Sequence, residues 1–132
     1  MIFVDSDAFI AIYSKKDFHH KEVIRISKNL KKNKTPLITS WDVIDETATK
    51  LSFFLSKKTS LQFLKTLIRG KIAIIYPDEK TSQEAIKIFK KQTSKRVSLT
   101  DCTNMAIAQS KGIETLFSFD KHYEKNCFKL LT

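Results

Sequence analysis

Glycine and proline are scarce in this chain of 132 residues, which has only two of each. Long flexible linkers are therefore not expected, and no glycine-rich loop is present that would cradle a nucleotide phosphate. No apolar run approaches the ~20 residues of a membrane span, and no basic segment precedes the apolar start. We therefore expect a single domain over residues 1–132, with no membrane association, no signal peptide and a cytoplasmic location.

Cysteine is equally scarce, and the two thiols, Cys102 and Cys127, have no histidine spacing typical of a zinc site. A cytoplasmic location would keep both thiols reduced. A disulfide framework and a structural zinc site are therefore both excluded as the basis of the fold.

Acidic residues are outnumbered, because 24 Lys and Arg face 14 Asp and Glu and give a formal net charge of +10. A charge of this size indicates a polyanionic partner such as nucleic acid. Residues 15–34 are especially basic, and their alternative interpretation is a solvated helix face. The candidate phosphate contacts in this segment are Lys28, Lys31 and Lys32.

Short apolar segments alternate with amphipathic segments along the chain. Strands are predicted at residues 2–5, 37–39, 72–76, 115–119 and 128–131. Helices are predicted at 6–13, 17–33, 41–54, 58–68, 81–91 and 101–111, with a helical turn at 121–125. Such alternation predicts an α/β protein with three layers, α/β/α, in which helices cover a parallel sheet of four or five strands. Segment 72–76 has the pattern of a buried strand. Trp41 is predicted on the buried face of its helix, and its alternative, shared with Tyr13 and Tyr123, is to stack on a base if the ring is exposed.

The few acids are concentrated where strands and helices are expected to meet. Asp5 and Asp120 each follow a predicted strand, Asp101 opens a helix, and Glu46 lies within one. Because the carboxyl ends of parallel strands share one edge of a sheet, this topology could bring the four carboxylates together. Converging carboxylates repel each other unless a cation joins them, and Mg²⁺ and Mn²⁺ prefer oxygen ligands. The pattern indicates a site for Mg²⁺ or Mn²⁺ that faces a polyanion, where the metal would activate water.

Several nearby acids have competing interpretations. Asp7 is either an N-cap of the first helix or an additional ligand. Asp42 lies in a first helical turn, where a carboxylate favours the helix dipole. Asp45 is about 100° from Glu46 around the helix and is the alternative to it, because both cannot point directly into one site.

Four motifs occur in a fixed order: Val4-Asp5-Ser6, Glu46, Ser98-Leu99-Thr100-Asp101 and Ser118-Phe119-Asp120-Lys121-His122-Tyr123. With them the chain resembles PIN-domain ribonucleases over essentially its whole length, in particular the small toxins of VapBC-type toxin–antitoxin pairs. The resemblance implies a PIN-like fold, with Asp5, Asp101 and Asp120 as metal-binding acids and Glu46 completing the site. It also implies a supporting hydroxyl at Ser118, and Ser6 and Thr100 could support the acids in the same way.

The same resemblance implies an endoribonuclease that acts as a toxin on RNA, often tRNA or ribosomal RNA. It further implies a cognate antitoxin protein and a homodimer. Two alternatives remain open: a PIN nuclease that serves RNA processing or decay, and a non-catalytic basic module that binds RNA.

Overall fold

The computed structural model describes residues 1–131 and has a regular alternation of strands and helices. The strands are β1 Ile2–Val4, β2 Leu37–Ser40, β3 Ala73–Ile75, β4 Thr115–Phe117 and β5 Lys129–Leu130. The helices are α1 Ser6–Tyr13, α2 His20–Lys32, α3 Trp41–Phe54, α4 Lys57–Arg69, α5 Glu79–Lys91, α6 Leu99–Ser110 and α7 His122–Lys125. The last position of the range predicted as one domain, residue 132, lies outside the described residues.

All five strands run parallel, in the order β3-β2-β1-β4-β5. The connections from β1 to β3 move across the sheet in one direction, and those from β3 to β5 return in the other. Because such crossovers are right-handed, α1–α4 cover one face of the sheet and α5–α7 cover the other. The predicted α/β fold with a helix-covered parallel sheet is therefore confirmed.

The core consists of the sheet and the apolar faces of the helices packed on it. Phe3 and Leu116 are fully buried in adjacent strands, and Phe63 of α4 packs edge-on against Phe9 of α1. Each such side chain contributes roughly 1.5–3 kcal/mol by leaving water. Cys102 is buried, as predicted from its helix face. Within residues 1–131, no helix is both long and apolar enough to cross a membrane.

Two predictions about burial are wrong. Segment 72–76 is not a buried strand, because β3 lies at the edge of the sheet, pairs only with β2 and leaves Ala73 exposed. Trp41 is the first residue of α3, and its ring lies above the sheet edge, 46% exposed, instead of in the core. An apolar pattern cannot distinguish an edge strand from a central one, since the difference depends on which strands pair.

The order of the strands creates one crevice. β1 has β2 on one side and β4 on the other, so the chain leaves it in one direction and returns on the opposite side. In open parallel sheets such a switch point is where ligands bind, beyond the carboxyl ends of the strands. Asp5 follows β1 and Ser118 follows β4 at this point.

Candidate active site

Asp5 is the centre of the site and is only 4% exposed. Its Oδ1 accepts hydrogen bonds from the Ser6 N–H at 2.7 Å and from Asn104 Nδ2 at 3.2 Å. Its Oδ2 accepts from the hydroxyls of Tyr123 at 2.9 Å and Ser118 at 3.2 Å. Burial, and then the charge of Asp7, raise the pKa of Asp5 to about 7. Four donors therefore surround a carboxylate that still has an energetic reason to keep a proton or gain a cation.

Tyr123 connects Asp5 to Asp101. Its fully buried hydroxyl is 2.9 Å from Asp5 Oδ2 and 3.3 Å from Asp101 Oδ1, and it accepts a hydrogen bond from Asn104 Nδ2 at 3.1 Å. Burial, together with the charges of Asp5 and Asp101, raises the pKa of Tyr123 well above its ordinary value. The hydroxyl consequently stays protonated and serves as a donor shared by two carboxylates. Asn104 is held in turn by the Ser40 hydroxyl at 3.3 Å.

Ser118 connects Asp5 to Asp7 in the same manner. Its Oγ lies 3.0 Å from Asp7 Oδ2 and 3.2 Å from Asp5 Oδ2, and it accepts from the Asp120 N–H at 3.1 Å. Asp7 Oδ2 also accepts from the Phe119 N–H at 2.8 Å, and burial raises the pKa of Asp7. Ser118 thus contacts two carboxylates and the backbone of Asp120, and its supporting role stays a prediction.

The N-cap interpretation of Asp7 is wrong, because Asp5 itself caps α1 by accepting from the Ser6 N–H. Asp7 is instead the second residue of α1, and its side chain contacts Ser118 and Phe119 just beyond the end of β4. The contact of Ser6 with Asp5 is made by its backbone N–H.

His122 connects Asp101 to Asp120. Its Nδ1 is 2.6 Å from Asp120 Oδ1, and its Nε2 is 3.2 Å from Asp101 Oδ2, at an angle that leaves this nitrogen without a full hydrogen bond. Asp101 Oδ2 also accepts from the Ser98 N–H at 2.9 Å in the capping box of α6. The Asp120 side chain is 51% exposed and lies at the open end of the site.

Four carboxylates therefore alternate with three side chains that lie between them. We call Asp7, Asp5, Asp101 and Asp120 the bridged acids; the bridges between them, in that order, are Ser118, Tyr123 and His122. The hydroxyls of Ser118 and Tyr123 each reduce the repulsion between the two acids that they connect, whereas His122 lies within ion-pair distance of Asp101 and Asp120. The sequence placed Asp5, Asp101 and Asp120 at one edge of the sheet, and the structure brings them together with Asp7.

Glu46 and Thr100 lie apart from this arrangement. Glu46 Oε1 pairs with Lys50 at 3.2 Å, and both line an open cavity of about 270 Å³ together with Asp42 and Asp45. Thr100 lines the same cavity, which therefore begins next to Asp101. Neither side chain contacts a bridged acid among the hydrogen bonds of residues 1–131.

The three lysines predicted to contact RNA lie near the opposite edge of the sheet. Lys28, Lys31 and Lys32 are in the last turns of α2, just before β2 starts at the amino edge. Lys31 lines an apolar cavity of about 740 Å³ beside Pro36 and Lys71. Direct contact with a phosphate bound at Asp5 is therefore not expected of this group.

The residue types of the site suit a divalent cation, but their side chains are not arranged as a complete set of ligands. Asp7 Oδ1 is buried without a hydrogen-bond partner among the described residues, and Asp5 is desolvated beside two other acids. Both features are costly in themselves and would be relieved by a cation with a preference for oxygen ligands. Within residues 1–131, however, no three His, Cys, Asp or Glu side chains are already placed to hold a metal ion.

Sequence reasoning missed three side chains of the site: Asn104, His122 and Tyr123. A signal existed for two of them, because Asn104 and Tyr123 each follow a candidate acid by three residues, on the same side of a helix or turn. Asn104 is also a polar residue among the buried apolar positions of α6. For His122 the sequence offered only its place in the motif after Asp120.

Comparison with known proteins identifies relatives of this architecture. The family model of the PIN domain matches residues 2–129. A VapC ribonuclease of Archaeoglobus fulgidus is 28% identical over 123 residues, which cover 91% of this chain and 77% of that protein. The crystal structure of Mycobacterium tuberculosis VapC20, described as a sarcin–ricin loop cleaving toxin, has a similar fold: the TM-score is 0.85 at 22% identity, over 97% of this chain and 96% of that one.

Proposed function

This chain belongs to the PIN-domain family, and from that premise we propose that it is a metal-dependent endoribonuclease that acts as the toxin of a toxin–antitoxin pair. The observation that carries the proposal is the set of bridged acids, which places four carboxylates at the switch point of a parallel sheet on a basic protein. We propose further that residues 1–132 form one nuclease domain that acts in the cytoplasm, where its RNA substrate would be found.

Asp5, Asp101 and Asp120 are the proposed ligands of Mg²⁺ or Mn²⁺, and Asp7 adds a fourth carboxylate. When bound, the metal would activate a water molecule and stabilise charge on the phosphate that is cleaved. Tyr123 and Ser118 fix the orientation of Asp5 before any ligand arrives, because each hydroxyl also contacts a second acid. No side chain is required as a nucleophile.

Hydrogen-bonded acids must exchange some of these contacts when they bind a cation. Each hydroxyl has one proton, so Ser118 and Tyr123 can each donate to only one carboxylate at a time. His122 contacts both Asp101 and Asp120. The proposal requires the His122 side chain to move away from these two carboxylates when the metal binds.

Glu46 is proposed to complete the site from its own cavity. Its ion pair with Lys50 is partly exposed and spans one helical turn, an arrangement worth about 0.3–0.5 kcal/mol. Such a pair is weak enough for Glu46 to turn toward a metal or a metal-bound water. Asp45, on the same cavity, remains the alternative.

The relatives guide the choice of substrate and partner. One is named a VapC ribonuclease and the other is described as a toxin that cleaves the sarcin–ricin loop. Ribosomal RNA is therefore the first substrate to test and tRNA the second. A cognate antitoxin that binds the active groove, and a homodimeric toxin, are proposed on the same basis.

The decisive experiment is cleavage of a labelled total-RNA pool by the purified protein, with Mg²⁺ or Mn²⁺ and with EDTA. Asp101→Asn should abolish the cuts, whereas Glu84→Gln, an exposed acid on α5, should not change them. Metal-independent RNA retention without cleavage would support a non-catalytic RNA-binding module instead. Cleavage without growth arrest on expression would support a role in RNA processing or decay.

A further inference from the structure

Two aromatic rings outside the acidic site are stacked on each other in solvent. Trp41 is 46% exposed and Tyr76 is 66% exposed, their ring centroids are 5.8 Å apart, and their planes differ by 20°. Stacking against each other leaves much of both rings in water, so the pair lacks the burial that usually explains such residues. Neither ring takes part in the bridged acids.

The backbone explains why the rings meet. β2 and β3 are adjacent and parallel, with Ser40 paired to Ile75, so Trp41 and Tyr76 are the next residues beyond both strands. Trp41 begins α3 directly after the Ser40 cap, and Pro77 restricts the backbone after Tyr76. Each ring therefore belongs to the residue that directly follows a strand, Ser40 preceding Trp41 and Ile75 preceding Tyr76.

These two residues lie on the same edge of the sheet as the bridged acids. β2 pairs with β1 through Phe3 and Ile38, and extending that register by two residues places Asp5 beside Ser40. Neighbouring strands are about 4.8 Å apart, so Tyr76 lies two strands, or about 10 Å, from Asp5 along the edge. A single nucleic-acid strand that crosses the edge can reach both positions.

We infer that Trp41 and Tyr76 form a stacking platform for an unpaired base of the RNA substrate. The inference rests on the proposed ribonuclease function and adds a site that holds a base beside the cleaved phosphate. Flat aromatic faces stack on any base, and proteins commonly hold splayed-out bases of single-stranded RNA in this way. The acids next to Trp41, Asp42 and Asp45, disfavour a phosphate at this place, so a base is the part of the strand that the surface suits.

The chain itself provides a probe, because Trp41 is its one tryptophan. The protein in EDTA would be titrated with a single-stranded RNA of 12 nucleotides and mixed sequence, and with an abasic ribose-phosphate strand of equal length. We expect the RNA to quench and shift the Trp41 emission, and the abasic strand to leave it unchanged. Unchanged emission at saturating RNA, with binding monitored by anisotropy of a labelled strand, would overturn the inference.

Variants test the two rings separately. Trp41→Leu and Tyr76→Leu should each weaken binding of the labelled RNA roughly 5- to 150-fold, the range for losing one base–aromatic stack. Tyr76→Phe keeps the ring and should retain most of the affinity. Phe54→Leu is the matched control, since Phe54 is also exposed but lies at the other end of α3.

Other outcomes separate this inference from the proposed function. Normal metal-dependent cleavage by wild type and by both leucine variants, with equal RNA affinity, would overturn the platform and leave the nuclease intact. A dimer that becomes a monomer in Trp41→Leu while RNA affinity is kept would assign the rings to contact between two copies instead. Absence of both cleavage and RNA binding in wild type would remove the proposed function together with the platform.

Discussion

Replacing Asp5 by asparagine should stabilise the metal-free protein at neutral and alkaline pH. The substitution keeps the size of the side chain, and the surrounding groups can accept it. An amide oxygen at the Oδ1 position still accepts from the Ser6 N–H and from Asn104, and an amide nitrogen at the Oδ2 position finds the hydroxyls of Ser118 and Tyr123, which can accept. The variant therefore removes a buried charge without leaving a group unpaired.

The size of the effect follows from the pKa of Asp5. Burial raises it from 3.8 to about 7, so between these values the folded state binds a proton that the unfolded state has released. The free energy of unfolding therefore falls as pH rises from about 4 to about 7, and it levels off above. At about 1.4 kcal/mol for each pKa unit, ionisation of Asp5 costs about 4 kcal/mol at pH 8. The asparagine variant escapes this cost.

Urea unfolding in EDTA at pH 4.5 and pH 8 would measure it. Asp5→Asn should be more stable than wild type by only about 1 kcal/mol at pH 4.5, whereas the variant should gain about 4 kcal/mol at pH 8. Glu84→Gln controls for loss of an exposed charge and should change little at either pH. An Asp5→Asn variant that is equally stable as wild type, or less stable, at pH 8 would refute the account of the site as a set of desolvated acids.

Three further outcomes are expected. Tyr123→Phe should fold but lose the donor shared by Asp5 and Asp101, and should lower both Mn²⁺ affinity, measured by electron paramagnetic resonance, and cleavage by about 10- to 100-fold. Glu46→Gln should reduce cleavage strongly. Loss of the ion pair with Lys50 should change the free energy of unfolding by less than about 1 kcal/mol. Unimpaired cleavage would assign the proposed role of Glu46 to another acid. Removing the charges of Lys28, Lys31 and Lys32 together should leave cleavage at the acidic site intact. The salt dependence of RNA binding should become flatter only if the RNA extends across α2. An unchanged slope would identify these lysines as a solvated face.

Much of the fold could be predicted because apolar periodicity reports local structure directly. The alternation of elements and the positions of Asp5, Asp101 and Asp120 at one edge follow from strand and helix patterns together with the rules for parallel sheets. Strand order does not follow from these patterns. Segment 72–76 therefore resembled a buried strand, because its pattern does not show that it pairs with β2 alone and forms an edge of the sheet.

The parts of the site that sequence could not provide are those that depend on contacts between distant residues. Tyr123 and Asp5 are separated by 118 positions, and Asp7 and Ser118 by 111. No local pattern reports such pairs, so Asp7 resembled a helix cap and the contact of Tyr123 with Asp5 was not predicted. Trp41 shows the converse error, since its apolar character predicted burial where the sheet edge leaves it open.

Protons would compete for Asp5 with the metal ion that we propose as its ligand. A cation needs the ionised carboxylate, so binding to a group whose pKa is about 7 must displace a proton at lower pH. Metal affinity should therefore rise about tenfold for each pH unit below 7 and become constant above it. The Tyr123 hydroxyl favours the charged form of Asp5, because it donates a hydrogen bond to Oδ2 and so opposes part of the rise in pKa that burial causes. Metal binding would relieve the unfavourable burial of charge that folding causes at neutral pH. At a metal concentration of 100 times Kd, binding would stabilise the folded protein by about 2.7 kcal/mol.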